Sequence, residues 1–323
     1  MKKSILPIAA LIFSTYIMPA TAQSDCGDIT ISEMNWASGQ LVTSVSKFIL
    51  EQGYGCNVQT IPTSTVPSVV SLAETGKPDI ITELWITAVP LYKELEKQGK
   101  VITATKVLSD GGTNGWWIPK YLADKHPELK TIEGVLANPE LVGGRFHNAP
   151  NGWGMRTTND NLIKAFNFAG NKMDVFNHGS GETLAASIAS AYDAHEPWFG
   201  YYWAPTSVLG KYEMVAVDMG AFDETAYACA ESKECSNPQK TSLPSATVVT
   251  AITTDLATRE PEVLNLMKKL SFTNKQMSQL LAWQEANKSS SEEAAVHFIT
   301  TQQDIWSAWL SEDARKNLAS LLK

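Results

Sequence analysis

Residues 28–61 read DITISEMNWASGQLVTSVSKFILEQGYGCNVQTI, and the way this stretch changes period decides the fold. Ile29 and Ile31 alternate with Asp28, Thr30 and Ser32, so 28–34 is predicted as a strand. Asn35 to Gly39 form a turn, after which Leu41, Val42, Val45, Phe48 and Ile49 recur at helical spacing, predicting a helix over 40–52. A second strand is predicted at 58–61. A strand–helix–strand unit of this kind brings its two strands side by side and parallel, because the helix carries the chain back.

The alternation continues outward. A helix over 65–75, a strand at 79–84 ending at Trp85, and a helix over 89–98 extend the first series. Strands at 101–108 and 115–119 are divided by a glycine-rich turn, and a first crossing to a second lobe is expected near 116–119. A second series then runs through 121–125, 131–137, 141–146, a helix after Trp153, a strand at 174–176 and a helix over 180–195. An aromatic strand at 198–203 ends at Trp203, and the β-branched run 246–252 is expected to return the chain to the first lobe. The remainder reads as helical, with Trp283, Trp306 and Trp309 at packing positions. These elements predict a two-lobed α/β protein, each lobe a mostly parallel sheet flanked by helices. The expected division is 23–117 plus 247–323 against 118–246.

Composition and the first residues limit the function classes. Met1, Lys2 and Lys3 precede an apolar run from Ile5 to Met18 that ends in Ala20-Thr21-Ala22, the order of a cleaved secretory signal peptide at 1–22. The formal net charge is −8, and the loss of Lys2 and Lys3 leaves the exported chain more acidic still. With no clustered Lys and Arg, nucleic-acid binding is not expected. Cys26, Cys56, Cys229 and Cys235 form an even set in an oxidising compartment. Three pairings exist on paper. Cys26 and Cys56 each precede one of two neighbouring strands and Cys229 and Cys235 bracket a short polar loop, which favours Cys26–Cys56 and Cys229–Cys235. Neither pair has the spacing of a metal site, and no metal is expected.

Catalytic patterns find no support. His178-Gly179-Ser180-Gly181-Glu182 has the wrong spacing for a nucleophile elbow and reads as a turn capping the next helix. The five histidines make no HExxH pair, and the glycine-rich stretches lack both phosphate-loop and dinucleotide fingerprints. Glu83 shares strand parity with Trp85, but no second carboxylate can be placed opposite it, so it reads as a supporting group. The expectation is a protein with no catalytic residues and no cofactor.

What remains is a set of tryptophans at strand ends, where open α/β sheets gather their ligands. Trp36, Trp85 and Trp203 each close a predicted strand. Trp153 stands in NAPNGWGMR, 148–156, where Pro150 and two glycines permit a tight turn into a helix. The backbone N–H groups of Gly154 and Met155 at that helix start can hold an anion, while the indole face can hold a cation. One segment could thus grip both ends of a zwitterion; the alternative is a loop whose Trp plugs the core.

Taken together, KPDIITELWIT ending at Trp85, NGWG around Trp153 and EPWFGYYWAP around Trp203 resemble the glycine betaine and proline betaine-binding proteins of ABC importers, and the likeness spans nearly the whole exported chain. The resemblance implies a periplasmic binding-protein fold of the second type with ligand between the lobes, a cage of Trp85, Trp153 and Trp203 around a methylated onium group, and carboxylate capture by Gly154 and Met155. It adds Trp36, in MNWAS, as an extra aromatic of a choline-binding branch, and Trp116 more loosely. It also implies a periplasmic monomer working with an ABC permease and ATPase. Ala88-Val89 stand where some betaine binders carry a carboxylate-contacting histidine, and Ala149 and Met155 stand where some carry a disulfide. Arg156 could compensate by charge or point to water. These departures leave glycine betaine, choline, trimethylamine oxide and dimethylsulfoniopropionate all in play, and a periplasmic sensor module remains an alternative to an importer.

Overall fold

A computed structural model describes residues 26–322. The expected signal peptide, 1–22, lies outside the described residues. The chain forms two sheets joined by two crossings. The first contains β1 (Asp28–Met34), β2 (Asn57–Thr63), β3 (Ile80–Trp85), β4 (Val101–Lys106) and, far along the chain, β11 (Val248–Thr253), in the order β2-β1-β3-β11-β4. The second is built from β5 (Gly112–Pro119), β6 (Arg145–Asn148), β7 (Asp174–Asn177), β8 (Gly200–Ala204), β9 (Met214–Ala216) and β10 (Ser245–Ala246), in the order β10-β5-β8-β6-β7, with β9 paired to β5.

The expected division between residues 117 and 118 falls inside β5, and the whole of β5 pairs within the second sheet. The chain therefore leaves the first sheet after Lys106. The sheets are also mixed rather than mostly parallel. β1 runs parallel to β2 and β3, and β6 to β7 and β8, but β11 is antiparallel to β3 and β4, and β5 is antiparallel to β8. The reason is geometric. β5 and β11 receive the chain as it arrives from the other lobe, at the carboxyl ends of the parallel strands, so each must run down its sheet against its neighbours.

Local sequence explains the elements that position the site. The helix Ala37–Tyr54 begins three residues earlier than its apolar pattern suggests, directly at Trp36, whose carbonyl accepts from the Gln40 N–H at 3.0 Å. It ends at Gly55 in a left-handed conformation (φ 73°), which glycine adopts without a Cβ penalty. Its buried face carries Leu41, Val42, Val45 and Ile49 against the first sheet, and the helices Ser291–Thr301 and Glu312–Leu321 pack on it from outside. Trp306 and Trp309 are buried in this terminal layer, Trp309 against Phe272 and Phe298, as the sequence predicts. Trp283 is only half-buried and stacks on His297 at 3.8 Å.

Both expected disulfides are present. Cys26–Cys56 ties the starts of β1 and β2, where Asp28 sits opposite Asn57, and Cys229–Cys235 closes a short loop after the helix Glu224–Ala230. By chain entropy the first, spanning 30 residues, is worth roughly 3–4 kcal/mol. Among the described residues no helix is long and apolar enough to cross a membrane.

Candidate functional site

Four tryptophans meet between the lobes, each delivered by the end of a strand. Trp36 follows β1 and caps the helix Ala37–Tyr54; Trp85 is the last residue of β3. Trp153 is the residue before the helix Gly154–Ala165 in the loop after β6, and Trp203 lies near the end of β8. They line one cavity with Gly154, Met155, Ala88, Thr65, Asn114 and Tyr201, enclosing about 350 Å³ of atom-free space, part of it open to solvent. The four indoles are only 4–9% exposed, so the lobes are closed over this space.

The rings meet largely edge to face. Trp153 contacts Trp36 at 5.4 Å with the planes at 74°, and Trp203 at 4.9 Å and 84°. Trp203 in turn stacks loosely on Tyr201 at 6.4 Å. Edge-to-face packing turns different ring faces toward a shared centre, and π faces are the negative surfaces of an aromatic. The lobes are tied across the cavity: Trp153 Nε1 donates to Asn35 Oδ1 at 2.7 Å, the Val66 N–H to the Gly152 carbonyl at 2.9 Å, and the Tyr227 hydroxyl to the Thr87 carbonyl at 2.6 Å.

Two glycines let the walls approach. A Cβ on Gly112 would stand 2.4 Å from the Trp85 ring, so that indole lies against bare backbone of β5. A Cβ on Gly154 would stand 2.5 Å from the Ala88 carbonyl oxygen of the opposite lobe. Ala88 thus leaves room for the start of the Gly154–Ala165 helix to press against the first lobe. No side chain caps that helix, and the residues of its first turn that line the cavity, Gly154 and Met155, stand at the positive end of a helix dipole.

Glu83, bonded to two tryptophans of the cavity wall, is fully buried. Its Oε1 accepts from Trp36 Nε1 at 2.7 Å, Ser38 Oγ at 2.9 Å and Trp85 Nε1 at 3.0 Å. Its Oε2 has no partner. Burial pushes this carboxyl above its ordinary range, and the three hydrogen bonds pull the other way.

Of the residues singled out in the sequence, Trp36, Trp85, Trp153, Trp203, Gly154 and Met155 come together on the cavity wall. Trp116 does not. It is fully buried among Phe146, Phe166, Phe168 and Phe199, at 4.9–6.0 Å, and donates from Nε1 to Asn159 Oδ1 at 3.1 Å. The cause is depth along β5: Asn114 reaches the cavity, and Trp116, two residues on, lies about 7 Å further from the cleft end on the same face. Arg156 also stays off the wall, its Nε held by Asp160 at 2.9 Å and its Nη1 by Asn151 at 2.9 Å.

Sequence reasoning missed Thr65, Ala88, Asn114 and Tyr201. Tyr201 was reachable, since it shares strand parity with Trp203. Asn114 was not, because its place depends on pairing with Trp203 across the β5–β8 ladder. The Tyr201 hydroxyl donates to Asn114 Oδ1 at 2.8 Å, adding a neutral polar pair to a wall dominated by indoles.

Known proteins share this fold. A crystallised ABC-transporter choline-binding protein in complex with choline superposes with a TM-score of 0.75 at 19% identity, over 92% of this chain and 99% of that one. The glycine betaine, L-proline ABC transporter binding protein ProX from Borrelia burgdorferi gives 0.74 at 16%, over 90% and 99%. Lactococcal OpuAC, closed and complexed with glycine betaine, gives 0.71 at 18%, over 88% and 100%. At these identities the likeness establishes the two-lobed binding-protein fold. Membership is carried by a family model, the substrate-binding domain of ABC-type glycine betaine transport systems (OpuAC), which matches residues 27–301. The family is one of transport substrate-binding proteins, not enzymes. This chain belongs to it.

Proposed function

We propose that the chain captures a methylated onium zwitterion, glycine betaine or a close analogue, between its lobes and delivers it to an ABC permease and ATPase. The cage is Trp36, Trp85, Trp153 and Trp203, and the backbone N–H groups of Gly154 and Met155 take the carboxylate. The observation that carries this reading is the meeting of four indoles and one uncapped helix start on a single cavity. A desolvated onium group gains roughly 1–2 kcal/mol from each well-placed aromatic face, and a helix N-terminus favours a carboxylate over a hydroxyl. The protein acts as an exported monomer whose lobes, 26–111 with 247–322 and 112–246, hinge open to exchange ligand.

A second reading, a choline binder, is favoured by the Asn114–Tyr201 pair, which offers uncharged partners suited to a hydroxyl. Calorimetric titration with glycine betaine, proline betaine, choline, carnitine, trimethylamine oxide and dimethylsulfoniopropionate separates the two. Glycine betaine should bind about five- to a hundredfold more tightly than choline, from charge-assisted hydrogen bonds to the helix start. Choline binding as tightly or tighter would give the second reading the site, and no binding by any of the six would remove both.

A further inference from the structure

Glu83 is a fully buried carboxylate that no catalytic step requires. Three features of its setting are unusual together. All three of its donors converge on one oxygen, and two of those donors are cage indoles, Trp36 and Trp85. The third, Ser38, lies two residues after Trp36 at the start of the helix Ala37–Tyr54. The second oxygen is buried with no partner. With one oxygen saturated by donors and the other bare, the Glu83 carboxyl, when ionised, meets no positive charge from the protein, and burial raises its affinity for a proton. A cation in the cavity that both indoles border would offset that charge and hold the carboxyl ionised.

The indole N–H is the positive edge of its ring, so donating it to a carboxylate shifts electron density toward the opposite faces, which are the surfaces a cation meets. In a dry setting the carboxylate also acts at longer range, because screening is weak there. From this geometry we infer that Glu83 is the counter-charge of the cage: a positioning residue that fixes the Trp36 and Trp85 rings and, through them, sets the preference for a positively charged onium over an uncharged group of the same shape. The inference rests on the methylated-onium reading above. It adds that part of the selectivity for charge resides behind the rings rather than in them.

The test pair is choline and its uncharged carbon isostere, 3,3-dimethylbutan-1-ol, which differ in charge but hardly in shape. Affinities for both are measured by competition against glycine betaine in the wild type and in Glu83→Gln, which keeps an acceptor for the three donors and removes the charge. The choline-to-isostere affinity ratio should fall about tenfold or more in the variant, with isostere binding unchanged or improved. Equal weakening of both ligands, or an unchanged ratio, would make Glu83 a structural hydrogen-bond acceptor and overturn the inference.

Should Glu83→Gln fail to fold, the wild type supplies the same information as pH is lowered from about 8 to about 5, since neither test ligand titrates in that range. The groups that reach the carboxylate, Trp36 and Ser38 from the helix start and Trp85 from its own strand, neither titrate nor carry charge, and no charged side chain of the flanking strands or helices contributes to its shift. Protonation of Glu83 removes the counter-charge, so the ratio should fall with pH. A flat ratio would count against the proposal. Wild-type protein that binds no methylated onium at all would instead overturn the functional reading, and this inference with it.

Discussion

The two halves of the aromatic cavity wall are held by different physics. In the first lobe Trp36 and Trp85 are fixed through their N–H edges, both donating to the buried Glu83. In the second lobe Trp153 and Trp203 are fixed mainly by ring contact, edge to face at 4.9 Å, and the Trp153 N–H is spent across the cleft on Asn35. The N–H bonds of the first half are therefore complete within its own lobe, whereas that of Trp153 exists only when the lobes meet. One half supplies a buried carboxyl and two fixed faces. The other supplies the closing faces together with the positive end of a helix.

Removing the residue that touches both halves is the strongest way to break this contrast. Trp153→Ala takes away the ring that touches Trp36 and Trp203 and the bond to Asn35, and should weaken glycine betaine binding about a hundredfold by calorimetry. A loss under threefold would mean that the second half is not a ligand surface. The next largest effect addresses closure. Gly154→Ala places a methyl against the Ala88 carbonyl, so the lobes cannot meet as they do here, and affinity should drop roughly thirtyfold while melting temperature without ligand stays within about 2 °C.

Trp85→Ala and Trp203→Ala sharpen the contrast, each expected to cost about tenfold in affinity. Their stabilities should differ, because Trp85→Ala removes one of three donors to a buried carboxylate and Trp203→Ala does not. The former should melt lower, and equal melting temperatures would argue that Glu83 finds solvent or another donor. The smallest effect on binding belongs to Trp116→Phe. Melting should fall by roughly 3–8 °C, since a buried indole and its bond to Asn159 are lost, with affinity unchanged within about twofold. A tenfold affinity loss at constant stability would return Trp116 to the site.

Much of this was legible because it is local. The change from a two-residue to a helical period after Met34 fixes a strand and a helix, and Gly55 ends that helix wherever it is placed. The cysteines before β1 and β2 follow from two parallel neighbours. The NGWG turn marks a helix start beside an aromatic whatever surrounds it. Trp116 shows where local reading ends. It occupies the same face of β5 as Asn114, so parity alone cannot separate them, and only distance from the cleft makes one a wall residue and the other core.

The sequence by itself determined that the chain is α/β, that it pairs Cys26 with Cys56 and Cys229 with Cys235, and that Trp36, Trp85, Trp153 and Trp203 stand at strand ends or helix starts. These depend on spacing, turn chemistry and the reach of neighbouring segments, all encoded within a few tens of residues. Only the tertiary structure decided that β5 and β11 run against their sheets, that Asn114 and Tyr201 share the wall, and that Glu83 is bonded to two indoles of the cage. Apart from the Glu83–Trp85 bond, which spans two residues, each of these joins residues tens to more than a hundred positions apart or depends on which end of a sheet faces the other lobe. Hydrophobic patterning constrains which face of an element is buried but not what it is buried against, so such pairings are settled only when the two lobes pack.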